Sequence, residues 1–170
     1  MKITQENFTG AKLEVLSMFH KRWALLTAGT PEDFNTMTIG WGSLGTVWNT
    51  PTLTAYVREN RYTHEFMQRH KEFTVCFFPE SARQDLALLG RLSGRDGDKI
   101  AQTGLTPTPV GNTVGFEEAE LTFVCKTLYR HRMDRQEVPQ IFVDRYYTGD
   151  DTIHHLYIAE VVDAFGQAED

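Results

Sequence analysis

Cysteine is scarce in this chain of 170 residues: Cys76 and Cys125 are the only two. A disulfide-stapled scaffold needs more, and neither residue belongs to a C-x-x-C pair. Both stand inside apolar, β-branched runs and read as buried, reduced thiols. Long apolar runs are missing too. Nothing approaches the roughly 18 residues of a membrane span. The opening M-K-I-T-Q-E-N-F-T-G has no apolar centre of signal-peptide length. These absences lead to the expectation of a cytoplasmic protein with no membrane partner. Positive charge is not in excess either. The chain has 17 Lys and Arg against 23 Asp and Glu, a net charge of -6. A nucleic-acid partner is therefore not expected, since it would call for a basic face. Six histidines are present, but H-E-x-x-H and Cys/His zinc spacings are absent. His154 and His155 are adjacent, so on a strand they point to opposite faces. No metal site is expected. There is no G-x-S-x-G elbow, no nucleophile beside a base, and no Walker loop.

What remains is an ordinary globular composition, with 41% hydrophobic and 24% charged residues. The length suits one domain over residues 1–170. Strands are expected at Trp23 to Ala28, Asn35 to Ser43, Thr52 to Val57, Phe73 to Phe78, Leu121 to Arg130, Pro139 to Tyr146 and Leu156 to Ala164. The turn Thr148-Gly149-Asp150-Asp151 would join the last two as a hairpin. Helices are expected at Thr63 to His70 and after Ser81. There, Ser81-Ala82-Arg83-Gln84 has the form of a capping box, and Leu86, Leu88, Leu89 and Leu92 follow at helical spacing. Many short strands and few helices, without regular alternation, point to a mainly β fold: a β-barrel with two or three short helices at its rim.

Two segments carry candidate chemistry. In V-R-E-N-R-Y-T-H a strand ends, two arginines follow, and a hydroxyl residue opens a helix. Unpaired helix amides with Arg58, Arg61 and Thr63 would suit a phosphate. The same residues would equally make an exposed basic loop with Thr63 as a plain N-cap. In S-G-R-D-G-D-K-I, Ser93 and Lys99 would reach phosphate oxygens beside a glycine backbone. Alone it reads as a surface turn. The stretch N-T-M-T-I-G-W-G-S sets Thr36, Thr38, Gly40 and Gly42 on one parity. That face would either lie against a flat ligand or pack closely on another strand. A phosphate grip without a protein-borne catalytic set suits a phosphorylated cofactor that carries its own chemistry.

These segments, in this order, resemble the flavin reductase-like family of FMN-binding split barrels, the group of flavoredoxins and short-chain flavin reductases. The likeness runs from about Trp23 to Phe165 and includes the closing H-H-L-Y-I-A-E-V. It departs in having only Pro51 before the phosphate-loop strand, and Ala159 where the family usually has glycine. The resemblance implies a Greek-key split barrel, FMN as cofactor, NADH or NADPH as co-substrate, and a homodimer. It implies Asn35, Thr36, Met37 and Thr38 along the flavin ring and Arg58, Arg61, Tyr62 and Thr63 near its phosphate. Ser93, Gly94 and Lys99 form a second contact group, and His154 faces the ring or a nicotinamide as the catalytic candidate. The activity implied is hydride passage from NAD(P)H to FMN and onward to a flavin or protein acceptor. Two alternatives stand beside it: an electron carrier without nicotinamide oxidation, and a non-redox binder of another phosphorylated ligand such as pyridoxal phosphate.

Overall fold

The computed structural model describes residues 2–150 and 152–167. Alternation in β2 (Ala24–Thr30) sends Leu26 and Ala28 to one core and Leu25 to another. β6 (Glu72–Phe77) repeats this, with Phe73, Val75 and Phe77 opposite Cys76. Both faces are covered, so these central strands read as nearly continuous apolar runs. Around them lie β3 (Asp33–Ile39), β4 (Gly42–Val47), β5 (Thr50–Arg58), β9 (Leu121–Arg132) and β10 (His154–Gln167). The order is β3-β2-β6-β9-β10-β5-β4, every pair antiparallel. The short β1 (Lys2–Ile3) adds to β10, and β7 (Pro107–Val110) and β8 (Thr113–Phe116) form a separate hairpin. The fold is mainly β with short helices, as expected.

Local sequence explains the turns. β2 and β3 pair out to Thr30 and Asp33, leaving a tight turn at Pro31-Glu32. Gly29 holds φ at 122°, and a side chain there would collide with the Asp33 carbonyl. β4 and β5 turn at Trp48 and Asn49, with φ of 53° and 57°, the paired positive values of a type I′ hairpin.

α2 (Tyr62–Arg69) buries Thr63, Phe66 and Met67. Removing Phe66 from water contributes on the order of 2 kcal/mol. α3 (Arg83–Arg91) buries Leu86 and Leu89 against Leu25, Cys76 and Phe116. Before α2, a single turn α1 (Val15–Ser17) runs into a wide turn, Met18–Arg22.

Three expectations are corrected. Pro139 to Tyr146 is not a strand but α4 (Gln140–Tyr146). Pro139 lacks a donor for a ladder, its carbonyl accepts from Phe142 and Val143, and Gln140 donates to Asp144 one turn on. The buried pair Val143 and Tyr147 is spaced by four, not two. The expected hairpin turn Thr148 to Asp151 therefore follows a helix rather than a strand, its last residue, Asp151, lying outside the described residues. The capping box does not form either. Glu80–Ala82 make a 3-10 turn after Pro79, and α3 starts from Ala82 with no side-chain cap. Finally, Asn35 to Ser43 is not one strand, since β3 ends at Ile39 and β4 starts at Gly42.

That break settles the small-residue face. A β-carbon on Gly40 would meet the Trp23 indole at 3.1 Å, and one on Gly42 would run into the Phe19 ring. Thr36 is fully buried, its hydroxyl donating to the Leu26 carbonyl and accepting from Thr27. Close packing accounts for Thr36 and Gly42, while Gly40 packs on Trp23 and also lines a cavity. Phe19 is itself wedged edge-on against Phe77 at 5.2 Å. Gly42→Ala should therefore overpack this point and cost about 1–3 kcal/mol. Urea unfolding reads it, and an unchanged midpoint would refute the packing account.

Candidate functional site

Two cavities meet along β3. The smaller, about 70 Å³, lies between Asn35, Met37 and Thr38 of β3, residues Asn60–Thr63 at the start of α2, and Leu89–Gly94 with Lys99. The second, about 230 Å³, shares Met37, Thr38 and Arg61, then runs past Gly40, Trp41, Tyr56, Arg58, Tyr146 and His154. Neither wall contains an Asp or Glu, in a chain with 23 of them.

The small cavity is built from main-chain ends. Arg61 is the extended residue before α2, and His64 is the first amide paired back to it. The amides of Tyr62 and Thr63 thus belong to the open, electropositive helix start. Thr63 is not the N-cap. It lies inside the first turn, fully buried, and its hydroxyl accepts from Asn35 Nδ2 at 2.7 Å. Gly94 passes directly over this bond, and a β-carbon there would overlap Asn35 Oδ1. Ser93 caps its own turn by accepting from the Arg95 amide.

α3 presents its C-terminal carbonyls to the same cavity, which on its own would repel an anion. Lys99 answers this. The residue is 5% exposed, and its ammonium donates to the carbonyls of Leu89 and Leu92 at 2.9 and 3.1 Å. Arg61 donates to Gly90 O at 3.4 Å. Burial, and then the nearby Arg61 charge, push the Lys99 pKa down to about 8. A buried cation beside a second cation is a site that an anion would relieve.

Arg58 differs from Arg61. Its guanidinium donates to Thr152 Oγ1 at 2.9 Å and pairs with Asp150 at 3.0 Å, over the Tyr147 ring. It lines only the larger cavity. There His154 packs against Trp41, ring centres 4.8 Å apart, and Trp41 meets Tyr146 edge-on. Burial, followed by Arg58 and Arg61, lowers the His154 pKa to about 4, so the imidazole is neutral at pH 7. His155 turns the other way, to Glu59 at 3.0 Å.

The structure thus gathers Asn35, Met37, Thr38, Arg61, Tyr62, Thr63, Ser93, Gly94 and Lys99 at one cavity, and Arg58 with His154 at its extension. Thr36 lines neither. Asn60, Gly90, Arg91, Trp41, Tyr56 and Tyr146 are wall residues that sequence reasoning missed. Tyr146 was hidden by the mistaken strand, and Gly90 and Arg91 looked like the plain end of a helix. Among the described residues no His, Cys, Asp or Glu side chains are grouped to hold a metal ion, and no helix is long and apolar enough to cross a membrane.

With this fold and this site, the chain belongs to the flavin reductase-like family: the flavin reductase like domain matches residues 16–170. Among curated proteins, none matches the chain by sequence. Solved structures are similar in fold. Flavoredoxin from Methanosarcina acetivorans aligns at 20% identity and a TM-score of 0.65, over 86% of this chain and 68% of its own. An FMN-binding protein from Thermus thermophilus, with bound 1-cyclohex-2-enone, aligns at 19% and 0.64, over 92% and 78%. Flavin reductase PheA2 aligns at 15% and 0.65, over 91% and 85%.

The buried amine gives a stability test. In the folded chain Lys99 releases its proton near pH 8, against 10.5 for an unperturbed lysine side chain. Below pH 8 both states hold the proton and the folded chain bears the full desolvation cost. That cost is relieved as pH rises from 8 to 10.5. Wild type should therefore gain stability relative to Lys99→Met across this window, by up to about 3 kcal/mol. Paired urea titrations at pH 7 and 10 check it, and a gap that moves the other way would overturn the reading.

Proposed function

We propose that this chain is an FMN-dependent oxidoreductase that takes hydride from NADH or NADPH and passes electrons to an acceptor. The observation that carries the reading is the acid-free cationic cavity opening into an aromatic-walled groove. The residues fit the cofactor. Open α2 amides, Arg61, Lys99 and the side-chain-free backbone at Gly94 suit a phosphate dianion. Met37 and Thr38 lie where the two cavities join, and Trp41, Tyr146 and His154 wall the side that would take a flat ring. When bound, FMN would supply the redox chemistry. The chain's part is to orient the ring, screen it from water, and place hydrogen-bond donors at its edge. His154 is proposed as such a contact, and Thr36 as a buried support that ties β3 to β2.

The test is the visible spectrum of the purified protein with added FMN, then with NADH or NADPH under nitrogen. Flavin absorbance that bleaches with a nicotinamide is the expected result. Failure to take up flavin ends the reading. Uptake without bleaching favours a flavoredoxin-like carrier, which the flavoredoxin folds among its neighbours make the second reading.

The arginines separate by partner. Arg61→Ala should weaken FMN about tenfold or more, and riboflavin far less, since it lacks the phosphate. Arg58→Ala should discriminate less between the two, because its guanidinium is committed to Asp150 and Thr152. Equal losses of FMN and riboflavin in Arg61→Ala would place the phosphate elsewhere.

A homodimer is part of the proposal. Trp41, Tyr146, Phe142 and Ile141 leave 38–70% of their surface exposed beside the larger cavity, an apolar rim that a second copy would cover. Sedimentation should give twice the 19.5 kDa chain mass, and a monomer at micromolar concentration would remove this part. A cytoplasmic setting is proposed from the two buried, unpaired thiols.

A further inference from the structure

Tyr147 lines neither cavity, yet it is built around His154. It is 3% exposed and packed with Val143 and Ile153, between the end of α4 and the start of β10. Its hydroxyl lies 2.8 Å from His154 Nδ1. Arg58, pinned by Asp150 and Thr152, sits over its ring. A buried phenol must place its proton on an acceptor. Among the described residues, His154 Nδ1 is the partner within reach of that hydroxyl. Were Nδ1 protonated, the phenol proton would find no acceptor among the described residues. That geometry suits a proton running from Tyr147 to Nδ1, with the ring's own proton on Nε2.

We propose that Tyr147 is a positioning residue: it fixes His154 as the Nε2–H tautomer and makes it a neutral hydrogen-bond donor toward the larger cavity. The consequence is chemical. A neutral imidazole N–H is a poor acid but a good donor. His154 would hold a carbonyl oxygen of a bound ring system, not deliver a proton to it. The groups around it agree, since Arg58 and Arg61 are both cationic and oppose a third positive charge. The ligand half of this inference rests on the flavin reading above. The tautomer half does not.

The experiment uses the ligand-free full chain with ¹⁵N-labelled histidine. Long-range ¹H–¹⁵N correlation at pH 7 reads which ring nitrogen is protonated, and His154→Gln identifies the His154 signals by their loss. The expected result is a protonated Nε2 and a bare Nδ1 in wild type, drifting to a mixture in Tyr147→Phe while backbone amides elsewhere hold their positions. Riboflavin affinity should fall roughly threefold to tenfold in Tyr147→Phe. A protonated Nδ1 in wild type, a tautomer unmoved in Tyr147→Phe, or an unchanged riboflavin affinity overturns the proposal. If wild type binds no flavin at all, the functional reading fails, and the ligand-free spectra still decide the tautomer.

Discussion

The hydrogen bond from Asn35 to Thr63 is the constraint on which the site depends. Asn35 belongs to the edge strand β3 and Thr63 to the first turn of α2, 28 residues on. Both side chains are buried, so losing either partner strands a polar group away from water. The bond holds the open end of α2 against β3 and so decides where its free amides face. It also explains Gly94. Only a residue without a β-carbon lets the loop after α3 cross this bond. Three segments, distant in sequence, are locked at one point.

The same convergence creates an electrostatic difficulty. Bringing the end of α3 to the start of α2 puts a negative helix terminus beside a positive one. Left alone, the first would cancel the second. The fold spends a buried lysine on the problem. Lys99 covers the carbonyls of Leu89 and Leu92, at the expense of a desolvated amine. A wall with no carboxylate follows the same logic. Glu32, Asp33 and Asp98 line the neighbouring space on the other side of Asn35 and Gly94, so the small cavity itself is faced by cations whatever the net charge says.

How much of this is legible in the sequence depends on the range of each interaction. The strands of the central sheet are readable because alternation and apolar runs are local signals. So are α2 and the body of α3. The residues of the small cavity are readable as segments, through their resemblance to the family, and the structure gathers nearly all of them. The mistakes share one cause. Pro139 to Tyr146 contains enough β-branched and aromatic residues to pass for a strand, and the spacing of Val143 and Tyr147 matters only once Ile153 is there to meet them. The small face of Thr36, Gly40 and Gly42 stayed open between ligand and packing because their packing partners, Thr27, Trp23 and Phe19, come from an earlier part of the chain. A sequence shows that a face is small without showing what fills it.

Adjacent residues with one chemistry make the point most sharply. Arg58 and Arg61 stand three apart in a single loop and carry the same charge. Arg58 ends a strand, so its side chain follows β10 and meets Asp150 and Thr152. Arg61 starts a helix, so it faces α3 and a cavity without acids. One cation is consumed in holding a loop and the other is left facing an anion-sized space. His154 and His155 divide in the same way. Neighbours on a strand face opposite sides, and here one side holds Trp41 and the other Glu59. Glu59, held mainly by Arg132 well below the usual carboxylate range, offers His155 a permanent negative partner. His154 has cations and rings instead. Identical side chains one residue apart thus experience opposite electrostatics, and the strand's alternation alone decides which of them addresses the groove.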